Sequence, residues 1–596
     1  MRVADYVMNR LVNEGVNHIF QVTGRGALFL SDAVAKHEEL KSISLHHEQS
    51  CSYAAVGYAE QKKSLGACLV STGCASTNAI TGVLSAWQDG VPVIFISGQN
   101  ILKETSRFTG LKIRTFGQQE ADIVSLVRSI TKFSAMISDP NEIESMMDKA
   151  IELAMSGRKG PVWLDIPLDI QSAQVEFDPK ESPLNLKISD DRLSPNTEEV
   201  KEVAFDLASA ERPVCLIGKG VLSSGAEELL SEFVERWGIP LTFTPSASDI
   251  FGAEHDLSIG SVGSMGCSRA GNFAVANSDY LLVLGSRLNS LTTGADHCKF
   301  AREAKITVVD IDPIEHSKET IKIDSFIQSD ISSFLEDLQE YAPSERKETW
   351  LKQCFHWKNI FAGVENEFKS EKEIDLYELS SCFSESLPFG STLVTDSGLI
   401  EVILPSNIGF RSGVRCIHPA SQGAMGFALP AAIGVQMASD NPVITVIGDG
   451  SIMMNLQELE SIRYQSLPIK IIVINNNVYS IIRRRQKDLF RRRTIGTDPE
   501  NGVSCPDFSS LADCFGLSFL KIERTSDLKA GINEMFDKKG PVLCEIIGRE
   551  DQNYIEVGQA KSLIEKKFVR RPLEDQQPFL SRKKFLAEMV IDPIDQ

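Results

Sequence analysis

The chain has 596 residues, which is too long for one hydrophobic core and predicts about three domains. Its 42% hydrophobic and 24% charged residues are typical of a soluble protein, and its formal net charge of −20 argues against a general nucleic-acid binder. No apolar run reaches the roughly 18 residues of a membrane span, and residues 1–16 read as an amphipathic helix, not a signal peptide. Twelve scattered cysteines without a CxxC pair indicate reduced thiols in a cytoplasmic protein.

The first part of the chain, residues 1–173, alternates apolar strands with helical patterns. This alternation predicts a doubly wound α/β domain. The predicted strands span residues 18–22, 42–46, 67–71, 91–97 and 162–166. Residues 174–195 are rich in Ser, Pro, Lys and Asp and are expected to form a linker.

Two further α/β domains are predicted, over residues 196–340 and 375–547. The predicted strands of the second domain span residues 214–217, 241–243, 280–284 and 306–309. Residues 343–372 are polar and are expected to be helical or linking, and residues 548–596 form a charged tail. No short tandem repeat is visible, but the first and third domains could be distant copies of one fold.

One stretch of the third domain predicts a strand, a tight turn, a helix and a second strand. The strands are the β-branched apolar runs 443–447 and 469–474, and the helix is predicted over 455–464 from its apolar spacing. The turn between them is Gly448–Asp449–Gly450–Ser451. This stretch therefore reads as one βαβ unit.

The polar residues of this unit favour a metal and a phosphate. Asp449 and Asn476 follow the two strands, and ligands of an open α/β sheet bind at the carboxyl ends of strands. Carboxylate and amide oxygens suit Mg²⁺, while Gly450 and Ser451 leave backbone N–H groups free at a helix start, where a phosphate is favoured. We expect a Mg²⁺-diphosphate site here; the alternative is that Gly-Asp-Gly is only a turn.

The arrangement GDG followed by Asn-Asn resembles the diphosphate-binding signature of thiamine diphosphate enzymes. Other segments of the chain strengthen the resemblance and place it in the acetolactate-synthase branch of that family. They are VTGRGA at 22–27, STGCASTN at 71–78, ISGQ at 96–99, GPVWLDIP at 160–167 and QGAMGFALPAA at 422–432. The resemblance implies a pyrimidine-binding domain over 1–173, a central domain over 196–340 and a diphosphate-binding domain over 375–547.

The resemblance also assigns site residues. Glu48 would hydrogen-bond N1′ of the cofactor's aminopyrimidine and favour the imino tautomer, whose N4′ removes the C2 proton. Gly423 would offer its carbonyl to N4′, Met425 would bend the cofactor, and the Val478 carbonyl would join Asp449 and Asn476 as a Mg²⁺ ligand. Further expected cofactor contacts are Gly24, Thr72, Asn78, Gln119, Gly398, Gly448, Gly450, Ser451, Tyr479, Ser480 and Ile481. Taken alone, Glu48 reads as a helix-start glutamate and Met425 as a core residue.

In this family the active site lies between the first domain of one subunit and the third domain of another. The resemblance therefore implies a homo-oligomer of at least two chains.

Three segments depart from the acetolactate synthases. Residues 73–76 read GCAS where the family usually has GPGA, residues 398–401 read GLIE where it usually has GQHQ, and residues 476–481 read NNVYSI. The second departure removes expected diphosphate contacts.

FAD is a second expected cofactor, in the central domain. The residues at the corresponding positions of flavin-binding members are Gly218, Gly220, Gly263, Met265, Arg287, Asp310 and Asp312. Each lies in a Gly-rich turn or at a strand end, which is a weak signal. The alternative is an empty structural domain, since some relatives have lost the flavin.

A basic run follows the expected metal ligands. It comprises Arg483, Arg484, Arg485 and Lys487, then residues 491–493, which are all arginine. Arginine forks match phosphate geometry, so we interpret the first three arginines as contacts to an anionic acceptor such as a nucleotide diphosphate. The alternatives are a solvated helix face or a subunit contact.

The expected reaction starts from a 2-oxo acid, with pyruvate as the expected donor. Decarboxylases that release aldehyde often carry a His pair near the segment matching residues 114–120, and this chain has none there. Transfer of a two-carbon unit to a carbonyl acceptor is therefore favoured. The segments VTG at 22–24, RPLED at 571–575 and PFL at 578–580 also look like those of acetolactate-synthase-like proteins of bacterial surface-polysaccharide clusters. The leading hypothesis therefore takes a nucleotide-linked ketosugar as acceptor. The alternatives are an acetolactate synthase, another 2-oxo acid decarboxylase, and a cofactor-binding protein without turnover.

Overall fold

The computed structural model describes residues 1–176, 192–343, 345–561 and 566–594. Three six-stranded sheets follow one another along the chain, and every strand pair within them is parallel. The predicted fold class of three doubly wound parallel-sheet domains is confirmed. Most of the predicted linker over 174–195 lies outside the described residues. Within those residues, no helix combines the length and apolar character needed to cross a bilayer.

The first sheet has the strand order β2-β1-β3-β4-β6-β5. Its strands are β1 (His18–Gln21), β2 (Lys41–Ser44), β3 (Gly66–Val70), β4 (Val93–Gln99), β5 (Phe133–Met136) and β6 (Val162–Pro167). Its helices are α1 (Val3–Asn13), α2 (Leu28–Lys36), α3 (Glu48–Lys62), α4 (Cys74–Asn78), α5 (Ile80–Asp89), α6 (Ser106–Thr109), α7 (Ile123–Val127), α8 (Ile143–Met155) and α9 (Leu168–Ser172). Alternate residues of β3 enter two different cores, which explains its continuous apolar run.

The second sheet has the strand order β12-β11-β10-β7-β8-β9. Its strands are β7 (Pro213–Ile217), β8 (Leu241–Phe243), β9 (Ser258–Ser261), β10 (Tyr280–Leu284), β11 (Lys305–Asp310) and β12 (Ser325–Gln328). Its helices are α10 (Thr197–Ser209), α11 (Gly220–Ser224), α12 (Glu227–Trp237), α13 (Arg269–Ala276), α14 (Ser290–Thr293), α15 (Ile331–Leu338) and α16 (Glu348–Ile360). Helix α16 lies in the polar stretch that was expected to be helical or linking.

The third sheet has the strand order β14-β13-β15-β16-β18-β17, which repeats the order of the first sheet. Its strands are β13 (Thr392–Thr395), β14 (Arg415–Ile417), β15 (Val443–Gly448), β16 (Lys470–Asn475), β17 (Ser518–Ile522) and β18 (Val542–Ile547). Its helices are α17 (Leu376–Ser386), α18 (Leu399–Asn407), α19 (Ala428–Ala438), α20 (Asp449–Ile452), α21 (Glu458–Tyr464), α22 (Ser480–Leu489), α23 (Phe508–Phe515) and α24 (Thr525–Asp537).

The C-terminal tail returns to the other domains. It contains the antiparallel pair β19 (Gln559–Lys561) and β20 (Phe568–Arg570), and helix α25 (Arg582–Glu588). Glu556 forms isolated bridges with Met265 and Gln577, and Phe585 is buried in a core of the second domain. The tail is therefore packed against the central domain.

The first and third domains meet through α3 and α19. A Cβ on Gly57 would lie 2.4 Å from the Ala431 carbonyl oxygen, and a Cβ on Gly434 would lie 1.9 Å from that of Ala54. The two helix backbones therefore touch, which only glycine permits at these positions. Residues of both domains share one hydrophobic core around this contact.

The predicted strands are all present, with ends shifted by at most two residues. The helix predicted over 455–464 differs, because it begins at Glu458 and is preceded by the short helix α20. The Asn455 side chain donates hydrogen bonds to the Gln49 side chain at 3.2 Å and to the Gly426 carbonyl at 2.9 Å. These bonds to other segments account for the turn between the two helices.

Candidate active site

Three neighbouring strands bring polar side chains to one edge of the third sheet. Strand β13 pairs with β15, and β15 pairs with β16. Asp396, Asp449 and Asn476 follow the carboxyl ends of these three strands. The chain runs from β13 to β14 on one side of β13, and its next strand, β15, lies on the other side. The crevice between β13 and β15 is therefore a topological switch point, where open α/β sheets bind ligands.

Asp449 is held by backbone amides. Its carboxylate accepts hydrogen bonds from the N–H of Gly450 at 2.7 Å and of Asn477 at 2.6 Å. The residue is only 3% exposed, and burial raises the pKa of its carboxyl to about 6. A carboxylate buried to this extent is stabilised by a cation, which fits the Mg²⁺ prediction.

The segment after β16 supplies the other predicted metal ligands. The Asn476 Nδ2 donates to Ser480 Oγ at 2.6 Å, and the Asn476 Oδ1 accepts the Val478 N–H at 3.3 Å. The described residues contain no cluster of three or more His, Cys, Asp or Glu side chains suited to a metal ion. Asp449 would therefore share a cation with an amide oxygen and a backbone carbonyl, a hard-oxygen set that fits Mg²⁺.

Gly450 has a steric reason to be glycine. A Cβ at this position would lie 1.9 Å from Cε1 of Tyr479. The tyrosine ring thus covers the start of α20, next to Asp449. Ile481 packs against the core of the third domain, and Gly448 ends β15. The predicted residues 448–451 and 476–481 are therefore brought together.

The loop before α19 is fixed by a residue that the sequence analysis missed. Asp396 is fully buried, and its carboxylate accepts the N–H of Gly426 at 3.1 Å and of Ala428 at 2.8 Å. This anchors the predicted residues Gly423 and Met425. Gly398 has φ +87 and directly precedes α18. The sequence signal that could have identified Asp396 is an acidic residue directly after an apolar strand.

The predicted residues of the first domain form a second group. Glu48 begins α3, and its Oε2 accepts a hydrogen bond from Asn78 Nδ2 at 3.0 Å. Thr72 Oγ1 donates to Gln99 Oε1 at 2.5 Å. Gly24 lies against Ser71, and the Gln119 carbonyl lies against Gly73. Glu48, Thr72 and Asn78 thus follow the ends of β2 and β3.

Two further residues that the sequence analysis missed join the first and third domains near these groups. Asn455 accepts a hydrogen bond from Ser50 Oγ at 3.0 Å. Glu458 is fully buried and accepts the His46 N–H at 3.1 Å. Both contacts lie within two residues of Glu48 in sequence. The helix over 455–464 was predicted from its apolar spacing alone, which gives no sign of this role for its polar residues.

A cavity of about 210 Å³ lies where the three domains meet. Five of the predicted FAD residues line it, namely Gly218, Gly220, Met265, Arg287 and Asp310. Arg287 donates to the Gln88 carbonyl at 2.9 Å and to Ser421 Oγ at 3.2 Å. It therefore links all three domains.

The two other predicted FAD residues do not line this cavity. Gly263 exchanges hydrogen bonds with Asn272, and Asp312 pairs with Arg158 at 3.0 Å. Gly218 and Gly220 are also required for packing within the domain, whether or not a ligand binds. A Cβ at either position would lie within 2.6 Å of Gly285 atoms. The cavity is still rich in charge suited to a dinucleotide, including Arg158, Lys159, Glu315 and Asp330.

The predicted acceptor arginines have partners within the chain. Arg483 pairs with Glu550 and lies 3.5 Å from Asp498, and Arg485 lies 3.2 Å from Glu556. Arg484 pairs with Glu556 at 2.5 Å and stacks over the Tyr554 ring at 4.5 Å. Helix α22 is thus tied to the tail. The arginines at 491–493 are exposed.

Comparison with known proteins agrees with this architecture. The chain matches the thiamine pyrophosphate enzyme N-terminal TPP binding domain over residues 1–126, the central domain over 200–338 and the C-terminal TPP binding domain over 396–546. Three such domains in this order define a thiamine diphosphate-dependent enzyme.

Full-length relatives refine the class. The acetolactate synthase isozyme 2 large subunit of Escherichia coli (strain K12) is 31% identical, covering 93% of this chain and 96% of the relative. The probable acetolactate synthase 2, chloroplastic, of Oryza sativa subsp. japonica is 32% identical, covering 91% and 82%. An acetolactate synthase of Arthrospira platensis is 29% identical, covering 92% and 94%. The chain belongs to the thiamine pyrophosphate enzyme family and is a homologue of acetolactate synthases.

Proposed function

We propose that this enzyme is a carboligase that decarboxylates pyruvate and joins the two-carbon fragment to a second pyruvate, forming acetolactate. The observation that carries the proposal is the similarity to acetolactate synthases over more than nine-tenths of the chain, together with intact Glu48, Asp449 and Asn476. The acetolactate alternative thus takes precedence over the ketosugar hypothesis, because none of these relatives supports the polysaccharide subgroup.

The residues have distinct roles in this proposal. Asp449, Asn476 and the Val478 carbonyl hold Mg²⁺, and the N–H groups of Gly450 and Ser451 bind the diphosphate. Glu48 holds a proton at N1′ of the aminopyrimidine, with Asn78 orienting its carboxylate. When bound, thiamine diphosphate supplies a nucleophilic carbon and an electron sink for decarboxylation. Met425 and the Gly423 carbonyl support the shape of the cofactor.

A product assay tests the proposal. Purified enzyme is incubated with pyruvate, thiamine diphosphate and Mg²⁺, and CO₂ and acetolactate are measured. We expect two pyruvates consumed and one CO₂ released for each acetolactate formed, which is the stoichiometry of the reaction. Acetaldehyde as the main product would favour the decarboxylase alternative, and absence of CO₂ release would favour a cofactor-binding protein without turnover.

A ketosugar acceptor is the second candidate. It is supported by the departures at residues 73–76 and 398–401, which lie near the predicted cofactor contacts, and by the exposed arginines 491–493. The pairing of Arg483, Arg484 and Arg485 with carboxylates weakens their predicted role as acceptor contacts. Adding a nucleotide-linked ketosugar to the same assay distinguishes the two, because a sugar acceptor would raise CO₂ release and lower acetolactate.

We also propose FAD for the central cavity, a cytoplasmic location and a homo-oligomer. Arg158, Lys159 and Arg287 suit a diphosphate, and Asp310 and Asp330 suit ribose hydroxyls. All twelve cysteines are free, which supports a reducing compartment. A flavin spectrum after denaturation of the purified enzyme would support FAD binding; its absence, with no change in melting temperature on adding FAD, would favour the empty domain.

A further inference from the structure

Glu401 occupies a distinctive position between the cavity and the predicted cofactor contacts. It lies in the first turn of α18, three residues after Gly398. Its Oε2 would be 3.3 Å from a Cβ placed on Gly423, the residue expected to face N4′ of the cofactor. It also lines the central cavity, with Val402 and His418. One carboxyl group therefore faces both regions.

The surroundings of Glu401 disfavour a negative charge. Burial, Asp89 and Asp396 together raise the pKa of its carboxyl to about 8. Among the described residues, no hydrogen bond or ion pair engages this carboxyl group. These surroundings favour the protonated form of the carboxyl group, which can donate a hydrogen bond.

The cations near this region are engaged elsewhere. Arg287 bonds the Gln88 carbonyl and Ser421 Oγ, and Lys219 pairs with Glu60 at 2.6 Å. His418 stays neutral because burial lowers its pKa to about 4. The other charged residues lining the cavity are Arg158, Lys159, Asp310, Glu315 and Asp330. Arg158 is paired with Glu315 at 2.9 Å.

We propose that Glu401 is the proton donor to the carbonyl acceptor in carboligation. The proposal rests on the carboligase function proposed above. As the new carbon–carbon bond forms, the electron pair of the acceptor's C=O π bond moves to its oxygen, which takes the proton of Glu401. The Glu401 carboxylate then recovers a proton from the hydroxyl of the two-carbon fragment. The C–O bond of that hydroxyl then becomes the product's carbonyl; bound thiamine diphosphate would take up the electron pair of the bond that had held the fragment to it.

Glu401→Gln is the decisive variant. Glutamine keeps the shape and a hydrogen-bond donor but cannot transfer a proton. We expect kcat for acetolactate to fall about a hundredfold, with KM for pyruvate changed less than about threefold. The decline of the wild-type rate as the pH rises through about 8 should be absent in the variant. Glu534→Gln, on the exposed face of α24, is the matched control and should behave as wild type.

An infrared titration of the cofactor-free protein provides a readout independent of turnover. The wild-type minus Glu401→Gln difference spectrum should contain a protonated carboxyl C=O band that disappears with a midpoint near pH 8. A band that is already lost at pH 6, or an unchanged pH–rate profile in Glu401→Gln, would overturn the proposal. Failure of the proposed carboligase function would appear in a different measurement, because the wild-type enzyme would release no CO₂ from pyruvate. The infrared titration would still show whether Glu401 is protonated.

Discussion

At the scale of single residues, the predicted site rests on a few carboxylates in contrasting environments. Asp449 accepts the backbone N–H groups of Gly450 and Asn477, whereas Glu48, at the start of α3, accepts a hydrogen bond from the Asn78 side chain. Asp396 has a different task, because it anchors the loop before α19. Environment, not residue type, would therefore separate the proposed metal binding by Asp449 and the proposed proton transfer by Glu48 from the scaffolding contacts of Asp396.

Replacing Glu48 by glutamine should remove proton relay without disturbing the fold. We expect kcat to fall by about 10²–10⁴, since this is the usual range for a general acid–base group. The measurement that isolates the step is hydrogen–deuterium exchange at C2 of the bound cofactor, followed by NMR in the absence of pyruvate. Glu39→Gln, an exposed site in the same domain, serves as control. Wild-type exchange in the Glu48 variant would refute the assigned role.

Asp449→Ala should weaken binding of Mg²⁺ and of the cofactor together. The substitution removes the only carboxylate of the proposed ligand set, so we expect apparent affinity for thiamine diphosphate to fall about tenfold or more. Isothermal titration calorimetry with Mg²⁺ and cofactor measures this. Asp513→Ala changes an exposed carboxylate of the same domain and should leave the affinity unchanged. Equal affinities in both variants would place the metal elsewhere.

His418 predicts a specific pH dependence of stability. Burial lowers the pKa of His418 from 6.5 to about 4, so this imidazole takes up a proton less readily in the folded protein than in the unfolded chain. Its contribution to stability is therefore complete above pH 6.5 and is lost as the pH falls toward 4. The melting temperature of wild type should decline more steeply over this interval than that of His418→Gln. The control His356→Gln, at a half-exposed position, should follow wild type; identical slopes in all three proteins would show that another group controls the decline.

At the scale of elements, helix α22 illustrates how sequence can mislead. Its arginines read as a basic surface next to the metal ligands, yet carboxylates from residues 550–556 neutralise much of it. No local pattern connects α22 with a tail about 70 residues away. Central strands such as β3, β10 and β15 were predictable because both faces are buried and apolar, whereas β13 and β18, which are also central, were not among the predicted strands. Edge strands such as β5 and β17 were missed because their half-exposed, mixed sequences resemble loops.

The contact between α22 and the tail can be tested with Arg484→Ala. The change removes an ion pair with the buried Glu556 and a cation–π contact with Tyr554. We expect a loss of about 1–3 kcal/mol in local stability of the tail, because the buried Glu556 would keep only its longer contact with Arg485. Chymotrypsin should then cleave after Tyr554 or Phe568 faster than in wild type. Arg492→Ala, on an exposed arginine, is the matched control; equal cleavage rates would mean that the tail is held by other contacts.

At the scale of the whole molecule, the architecture was predictable and the domain junctions were not. Apolar strand runs and the glycine motifs sufficed to predict three doubly wound domains. Asn455 and Glu458 could not be assigned, because their partners Ser50 and His46 belong to another domain far away in sequence. The shared strand order of the first and third sheets agrees with the idea that these domains are copies of one fold.

Mixing two inactive variants tests the proposed site between subunits. In a dimer of Glu48→Gln and Asp449→Ala chains, one of the two sites would combine an intact Glu48 with an intact Asp449. Random assortment should restore roughly a quarter of wild-type activity, because half of the dimers are mixed and each has one working site. Each variant remixed with itself is the control. If every site lay within one chain, the mixture would stay inactive.

The touching backbones of α3 and α19 have a consequence for substrate access. At Gly57 and Gly434 the helices leave no space for sliding, so the first and third domains of one chain are expected to move as a single rigid body. A passage for substrate would then have to open elsewhere, at the edge formed by α22 and the tail. The rate of product release would therefore depend on the ion pairs of that edge, which begins beside the proposed metal ligands.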